Sequence, residues 1–229
     1  VGGRVGKLKI VILAIILFIL LAGAGGYYYY ENYLKVIPEE LIQKALDETL
    51  KVESYRYHVK IEMNIDNTPV IISDIEGEKA NPKDFHIFGT MQDQQVEVFQ
   101  IANVTYMKDS LTNKWVVIPE NSVFEAEYFM AEINPLASFV FTSMSDLQYL
   151  GREKIGSQKY YVIHCLPEVN NEFLTRYWQD FEYKLWIDGS KKIIRAEVKA
   201  VNKAKPSDSL AMVVDLKDFH AKIKLEPPV

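Results

Sequence analysis

The chain has one cysteine, Cys165, among 229 residues, so no internal disulfide can form and the fold rests on its core alone. Cys165 lies in the apolar run YYVIHCL and reads as a small buried hydrophobe, not as a reactive thiol. Histidine is nearly as scarce. His58, His86, His164 and His220 stand in four separate segments, with no HxxxH or His-x-His spacing. A zinc site takes at least three ligands from protein, so neither a metal site nor a cofactor is expected. His164 beside Cys165 changes nothing, because consecutive strand residues point to opposite faces.

Catalytic signatures are missing too. No Gly-x-Ser-x-Gly elbow and no glycine-rich phosphate loop after a strand is present. The acidic pairs Glu39-Glu40 and Asp93 with Glu97 read as solvated surface. Asp66, Asp188 and Asp215 fall at strand ends or outer faces, whereas calcium needs several oxygens from one loop. No catalytic residue is assigned, and the chain does not read as an enzyme. Asn103-Val104-Thr105 fits a glycosylation sequon, but at a strand edge, and the pattern is common by chance. Positive charge is also short. From Glu31 onward 31 acidic residues face 23 basic ones, a formal charge of −8. That balance argues against nucleic acid, which needs a basic stripe, and against tight electrostatic docking on anionic lipid.

What the chain does have is a long apolar run. Residues 10–30 carry no charge, and an apolar helix of about 20 residues spans a bilayer core of roughly 30 Å. Tyr27–Tyr30 close the run with rings that favour the membrane–water interface. Arg4, Lys7 and Lys9 precede it and Glu31 follows, which places the N-terminus inside. The expected organisation is a cytoplasmic N-terminus (1–9), a transmembrane signal-anchor helix (10–30), a linker (31–37) and an extracytoplasmic domain (38–229). The competing reading is secretion after cleavage near Ala24, since Ala22-Gly23-Ala24 has the small residues of a cleavage site.

Beyond the run, PEELIQKALDETL has helical spacing, with Pro38 at its start and Glu39 and Glu40 in its first turn. From Tyr55 to Asp66 apolar and polar residues alternate without a break, which specifies a strand with one buried face. Further strands are expected at 70–79, 85–91, 96–101, 104–108 and 114–118, then at 147–150, 160–166, 181–187, 193–201 and 210–217. Two short helices interrupt them between Glu120 and Met144, separated by Asn134-Pro135, and 169–179 reads as a loop with a helical turn. A slip in alternation predicts a bulge near Asp218 and a closing strand in DFHAKIKLEPP. The fold class is α+β: one curved antiparallel sheet of about ten strands, a half-barrel wrapped on a few helices.

That pattern, with the phrases QVEVFQIANVTYMKDSLTNKWVVI, EYKLWIDGSKKIIRAEVKA and DFHAKIKLEPP, resembles the lipoprotein-localisation and lipoprotein-carrier superfamily typified by LolA, LolB and the mycobacterial LppX/LprG group. The resemblance spans about residues 38–228, and its motifs are structural. It implies a space between sheet and helices that holds acyl chains of lipids or lipoproteins. The matching inward strand residues are Tyr57, Val59, Ile61 and Met63, and the lid residues are Phe124, Phe129, Phe139, Phe141 and Met144. A Phe/Met stripe at helical spacing serves equally as ordinary core. The alternative function is therefore an interaction ectodomain of a bacterial envelope machine, with a filled core and no ligand. Phe173, Leu174, Tyr177 and Trp178 are the candidate contacts to such a protein partner, unless they fold back as a lid.

Overall fold

The computed structural model describes residues 15–16, 18–23, 25–27, 35–119 and 130–228. The chain divides into two compact units, Val1–Ile37 and Pro38–Val229. In the first, the described residues between 15 and 27 are helical, and Ile15, Phe18 and Leu20 are more than half exposed. Among the described residues no helix is long and apolar enough to cross a membrane. The expected span at 10–30 lies partly outside the described residues.

The second unit is built on one antiparallel sheet of eleven strands. The first six form a meander: β1 (Tyr55–Ile65), β2 (Thr68–Lys79), β3 (Phe85–Met91), β4 (Gln94–Ile101), β5 (Val104–Lys108) and β6 (Trp115–Pro119). A second meander follows: β7 (Phe141–Ile155), β8 (Gln158–Val169), β9 (Trp178–Ile187), β10 (Ile193–Asn202) and β11 (Ser209–Lys217). The spatial order is β6-β5-β4-β3-β2-β1-β11-β10-β9-β8-β7, so the two meanders join where β1 pairs with β11. Tight turns set the registers of the first meander. Asp66-Asn67, Gln92-Asp93 and Ala102-Asn103 each place two successive residues at positive φ, the geometry whose twist suits a two-residue hairpin.

This topology dictates where the helices lie. β6 and β7 are opposite edges of the sheet, so residues 120–140 must carry the chain from one edge to the other. That crossing contains α2 (Met130–Ile133) and a 3₁₀ helix (Pro135–Phe139). The helix before β1, α1 (Pro38–Leu50), buries Leu41, Ile42, Ala45, Leu46 and Thr49, the stripe its spacing predicts. Its C-terminal end is pinned by Thr49, whose Oγ1 accepts from the Ile193 N–H at 2.9 Å. Two phenols tie the crossing segment to the inner face of the sheet. Tyr57 donates to the Glu132 carbonyl at 2.7 Å, and Tyr183 donates to the Ser138 carbonyl at 2.8 Å. Helices this short leave most of their carbonyls without intrahelical partners, and the buried tyrosines supply them.

The expected antiparallel sheet of about ten strands is present, with eleven among the described residues. Other expectations are corrected. Phe141 and Met144 belong to no helix; they open β7, which runs fifteen residues where a short strand at 147–150 was expected. Alternation fails along β7 because, as an edge strand, it is paired on one side and exposes most of its positions. DFHAKIKLEPP forms no closing strand. β11 ends at Lys217, Asp218 turns at φ 55°, and His220 N–H bonds the Ser54 carbonyl at 2.8 Å instead of continuing the ladder. Phe124 and Phe129 lie outside the described residues, and of the first expected helix only its end, Met130–Ile133, is described.

Candidate functional site

The registers resolve the inner face of β1–β6 into rows of paired residues. One row runs Tyr57, Gly77, Ile87, Val98, Met107, Val116. The next runs Val59, Ile75, Gly89, Val96, and the one after it Ile61, Ser73, Met91. A bulge in β2 after Ser73 leads to the last pair, Met63 with Val70. Tyr57, Val59 and Ile61 are buried core, as are their β11 partners Leu216, Val214 and Met212. Burial falls away toward β6 and toward the β1–β2 hairpin: Val70, Met107 and Val116 expose 40, 38 and 43 %. Met63 and Met91 are half-buried.

The residues expected to line a cup therefore separate into three sets. Tyr57, Val59, Ile61 and Phe139 are sealed in the core beneath the helices. Met63 lies on the partly open part of the inner face. Phe141 and Met144 sit on β7, where Phe141 meets the ring of Tyr183 edge-on at 5.0 Å. The open positions Val70, Met91, Met107 and Val116 were not singled out in the sequence. Only the register places them on one face, and it shows that helices α1 and α2 leave this end of the face uncovered among the described residues.

Tyr57 has a second role. A Cβ on Gly77 would come within 2.1 Å of its ring, so glycine is what lets the ring lie flat across β2 to reach α2. There it meets a buried acid. Glu132 accepts from Ser73 Oγ at 2.8 Å, and burial raises its carboxyl above the ordinary range.

At the end of the face where β1 begins, a different row crosses the same strands: Tyr55, Lys79, Phe85, Gln100, Thr105, Ile118. It is polar, and the first five members are buried. Among the described residues the Tyr55 hydroxyl, Gln100 Oε1 and Thr105 Oγ1 have no hydrogen-bond partner. Burial depresses the pKa of the Lys79 ammonium.

The outer face carries charge pairs. His58 lies 2.6 Å from Asp74, Arg195 bonds Asp215 at 3.2 Å, and Lys184 bonds Glu153 at 2.8 Å beside Trp186. A groove of about 660 Å³ on this face is lined by His86, Phe88, Glu97 and Lys108. Within it Lys108 bonds Glu97 at 2.9 Å and His86 stacks on Phe99 at 3.8 Å, while His86 Nε2 has no hydrogen-bond partner among the described residues. Cys165 is buried on the inner face and its thiol is pushed up to about 12, while His164 on the outer face bonds Glu182 at 3.2 Å. Among the described residues no three metal-ligating side chains gather.

The expected partner patch is largely internal. In α3 (Glu172–Tyr177) and the start of β9, Leu174 and Trp178 are buried, Phe173 is half-buried and only Tyr177 is exposed. The N-cap explains it: Asn171 accepts from the Leu174 N–H at 3.1 Å, which starts the helix so that Leu174 turns inward.

No family model matches the chain. No curated protein matches it either. Solved structures do. Lipoprotein LppX of Mycobacterium tuberculosis superposes with a TM-score of 0.55 at 19 % identity, over 82 % of this chain and 98 % of LppX. LprF of Mycobacterium bovis gives 0.56 at 10 % identity, over 83 % and 96 %. At these identities the likeness concerns architecture. The second unit has the open antiparallel sheet with helices on one face that LppX and LprF share.

Proposed function

We propose that this chain is a non-catalytic, extracytoplasmic lipid-binding domain held at a membrane by residues 10–30. It takes the acyl chains of a lipid or lipoprotein against the inner face of β2–β6. The observation that carries the reading is the uneven filling of that face. Where a packed domain would close its core, Met63, Val70, Met91, Met107 and Val116 remain partly open next to sealed rows. Three of the five are methionines, whose flexible thioethers adapt to a chain of variable shape. The fold shared with LppX and LprF supports it, since the superfamily resemblance read from the sequence implies acyl binding between sheet and helices. The uncharged 21-residue run supports the anchor. A tethered domain of this kind receives or presents lipid near its own membrane and does not ferry it.

The test is native mass spectrometry of the full chain purified from a bacterial host in detergent. A stoichiometric acyl-containing adduct is expected, lost in Met107→Glu. A clean apo mass, with no uptake of added phospholipid or lipopeptide, would sink the lipid reading and leave an interaction domain.

A further inference from the structure

The outer face of β3–β6 carries rings. Strand register sets His86 beside Phe99, Phe99 beside Tyr106 and Tyr106 beside Val117 in one row. In the next, Phe88 lies beside Glu97 and Lys108 beside Trp115. The His86 ring stacks on both Phe99 and Phe88, with centroids 3.8 and 5.1 Å away, and Phe99 meets Trp115 edge-on at 5.6 Å. An antiparallel sheet with its core on one face ordinarily turns polar side chains to water on the other. This band departs from that rule.

The band borders the groove of about 660 Å³, a volume within the usual range of small-ligand sites. Phe88 lines it and exposes 38 % of its surface, so the groove has an open aromatic wall. Glu97 and Lys108 line it as well, and Gln95, Ser110 and Asn113 stand exposed along it. Ser110 and Asn113 belong to the β5–β6 turn, which Asp109 fixes by accepting from the Leu111 and Thr112 N–H groups at 3.2 and 2.7 Å. Their positions are therefore set before a ligand arrives, which lowers the cost of binding.

The groove selects its ligand by what it lacks and what it offers. It has no unbalanced charge. Lys108 neutralises Glu97 at 2.9 Å, and burial pushes the pKa of His86 below its ordinary value, so that ring is neutral. It offers no backbone edge, because β3, β4 and β5 are each paired on both sides and an extended peptide cannot add a strand. It does offer an aromatic face beside a carboxylate, an ammonium, two amides and a hydroxyl. A neutral molecule with flat C–H faces and a rim of hydroxyls fits all of this. A sugar ring is such a molecule.

We propose that the groove is a saccharide-binding site, taking a neutral glycan segment of pyranose rings with equatorial hydroxyls. One ring lies on Phe88 through its C–H face. Glu97 accepts from its hydroxyls and Lys108 donates to them, while Gln95, Ser110 and Asn113 bond the neighbouring ring. The site is on the opposite face of the sheet from the acyl surface and does not depend on it.

The experiment is saturation-transfer difference NMR on the full chain in a polyoxyethylene detergent, which has no sugar headgroup to compete. The probes are cellotriose, triacetylchitotriose and a decaproline peptide. Transfer to the ring C–H protons of at least one trisaccharide is expected. Phe88→Leu keeps the apolar bulk and should weaken binding about fivefold, the scale of a lost aromatic contact, whereas Phe88→Trp should retain it. Glu97→Gln should weaken it about tenfold through a lost charge-assisted hydrogen bond. Both positions are partly exposed, so the variants should melt close to the parent. No transfer to either trisaccharide overturns the proposal. Binding that Phe88→Leu and Glu97→Gln both leave unchanged overturns it too, because the sugar then sits elsewhere. Transfer to decaproline alone would overturn the saccharide and assign the rings to a polypeptide.

Discussion

The two halves of the inner face are built to the same rule and finished differently. On β1 and β8–β11, alternate residues point to one inner face, and Tyr57, Val59, Leu185, Val198 and Val214 are sealed. On β2–β6 the inner face ends in Met107 and Val116, more than a third exposed, and among the described residues Gln100 Oε1 and Thr105 Oγ1 are buried there without a hydrogen-bond partner. Burying apolar surface lowers free energy by about 25 cal/mol per Å², so the first half holds the domain together. The second half forgoes part of that gain, and a face left unfilled beside a filled one is where a ligand can supply the missing contacts.

The largest expected effect breaks the first half. Phe139→Ala empties a fully buried site and should cost about 3–5 kcal/mol in urea unfolding. A loss as small as that of an exposed residue would mean that this half is not packed either.

Gly77→Ala probes the seam between the halves. The methyl group collides with the Tyr57 ring, and the ring cannot swing freely because its hydroxyl is bonded to the Glu132 carbonyl. A loss of about 1–3 kcal/mol is expected, as for other overpacked cores. Tyr57→Phe in the same background should restore little, since the ring and not the hydroxyl makes the clash.

Glu132 sharpens the comparison through pH. Its native pKa lies above its unfolded value because burial disfavours the charge. Between those two values the native state holds a proton that the unfolded chain has released, so stability falls as pH rises through the window. Glu132→Gln keeps a side chain able to bond Ser73 and removes the ionisation. Thermal melts from pH 4 to 8 should then lose that slope, with the variant the more stable at the upper end. An unchanged slope would place the titration elsewhere.

The smallest effect belongs to the open half. Met107→Ala should cost less than about 1 kcal/mol, because much of the side chain already meets solvent. A cost comparable to that of Phe139→Ala would show that Met107 is packed in solution, and the contrast between the halves would disappear.

Much of this was legible in the residues. The strict alternation of Tyr55–Ile65 put Tyr57, Val59 and Ile61 on one face, and the spacing of α1 named its buried stripe. Phe141 and Met144 misled because helical spacing over a short aromatic-rich stretch also fits a strand with a break in register, and β7 has three such breaks. Leu174 and Trp178 misled because a short helix can turn its apolar side either way, and only the Asn171 cap fixed which.

The sequence by itself determined the absence of disulfides, the acid balance, the uncharged run and the periodicities that make an antiparallel sheet with few helices, because these depend on residues near one another in the chain. The tertiary structure alone decided which positions are core and which are open. Tyr55, Lys79, Gln100 and Thr105 are spread over fifty-one residues, and nothing local marks them as neighbours. Register across four ladders brings them into one row, where the Tyr55 hydroxyl, Gln100 Oε1 and Thr105 Oγ1 are buried without a hydrogen-bond partner among the described residues.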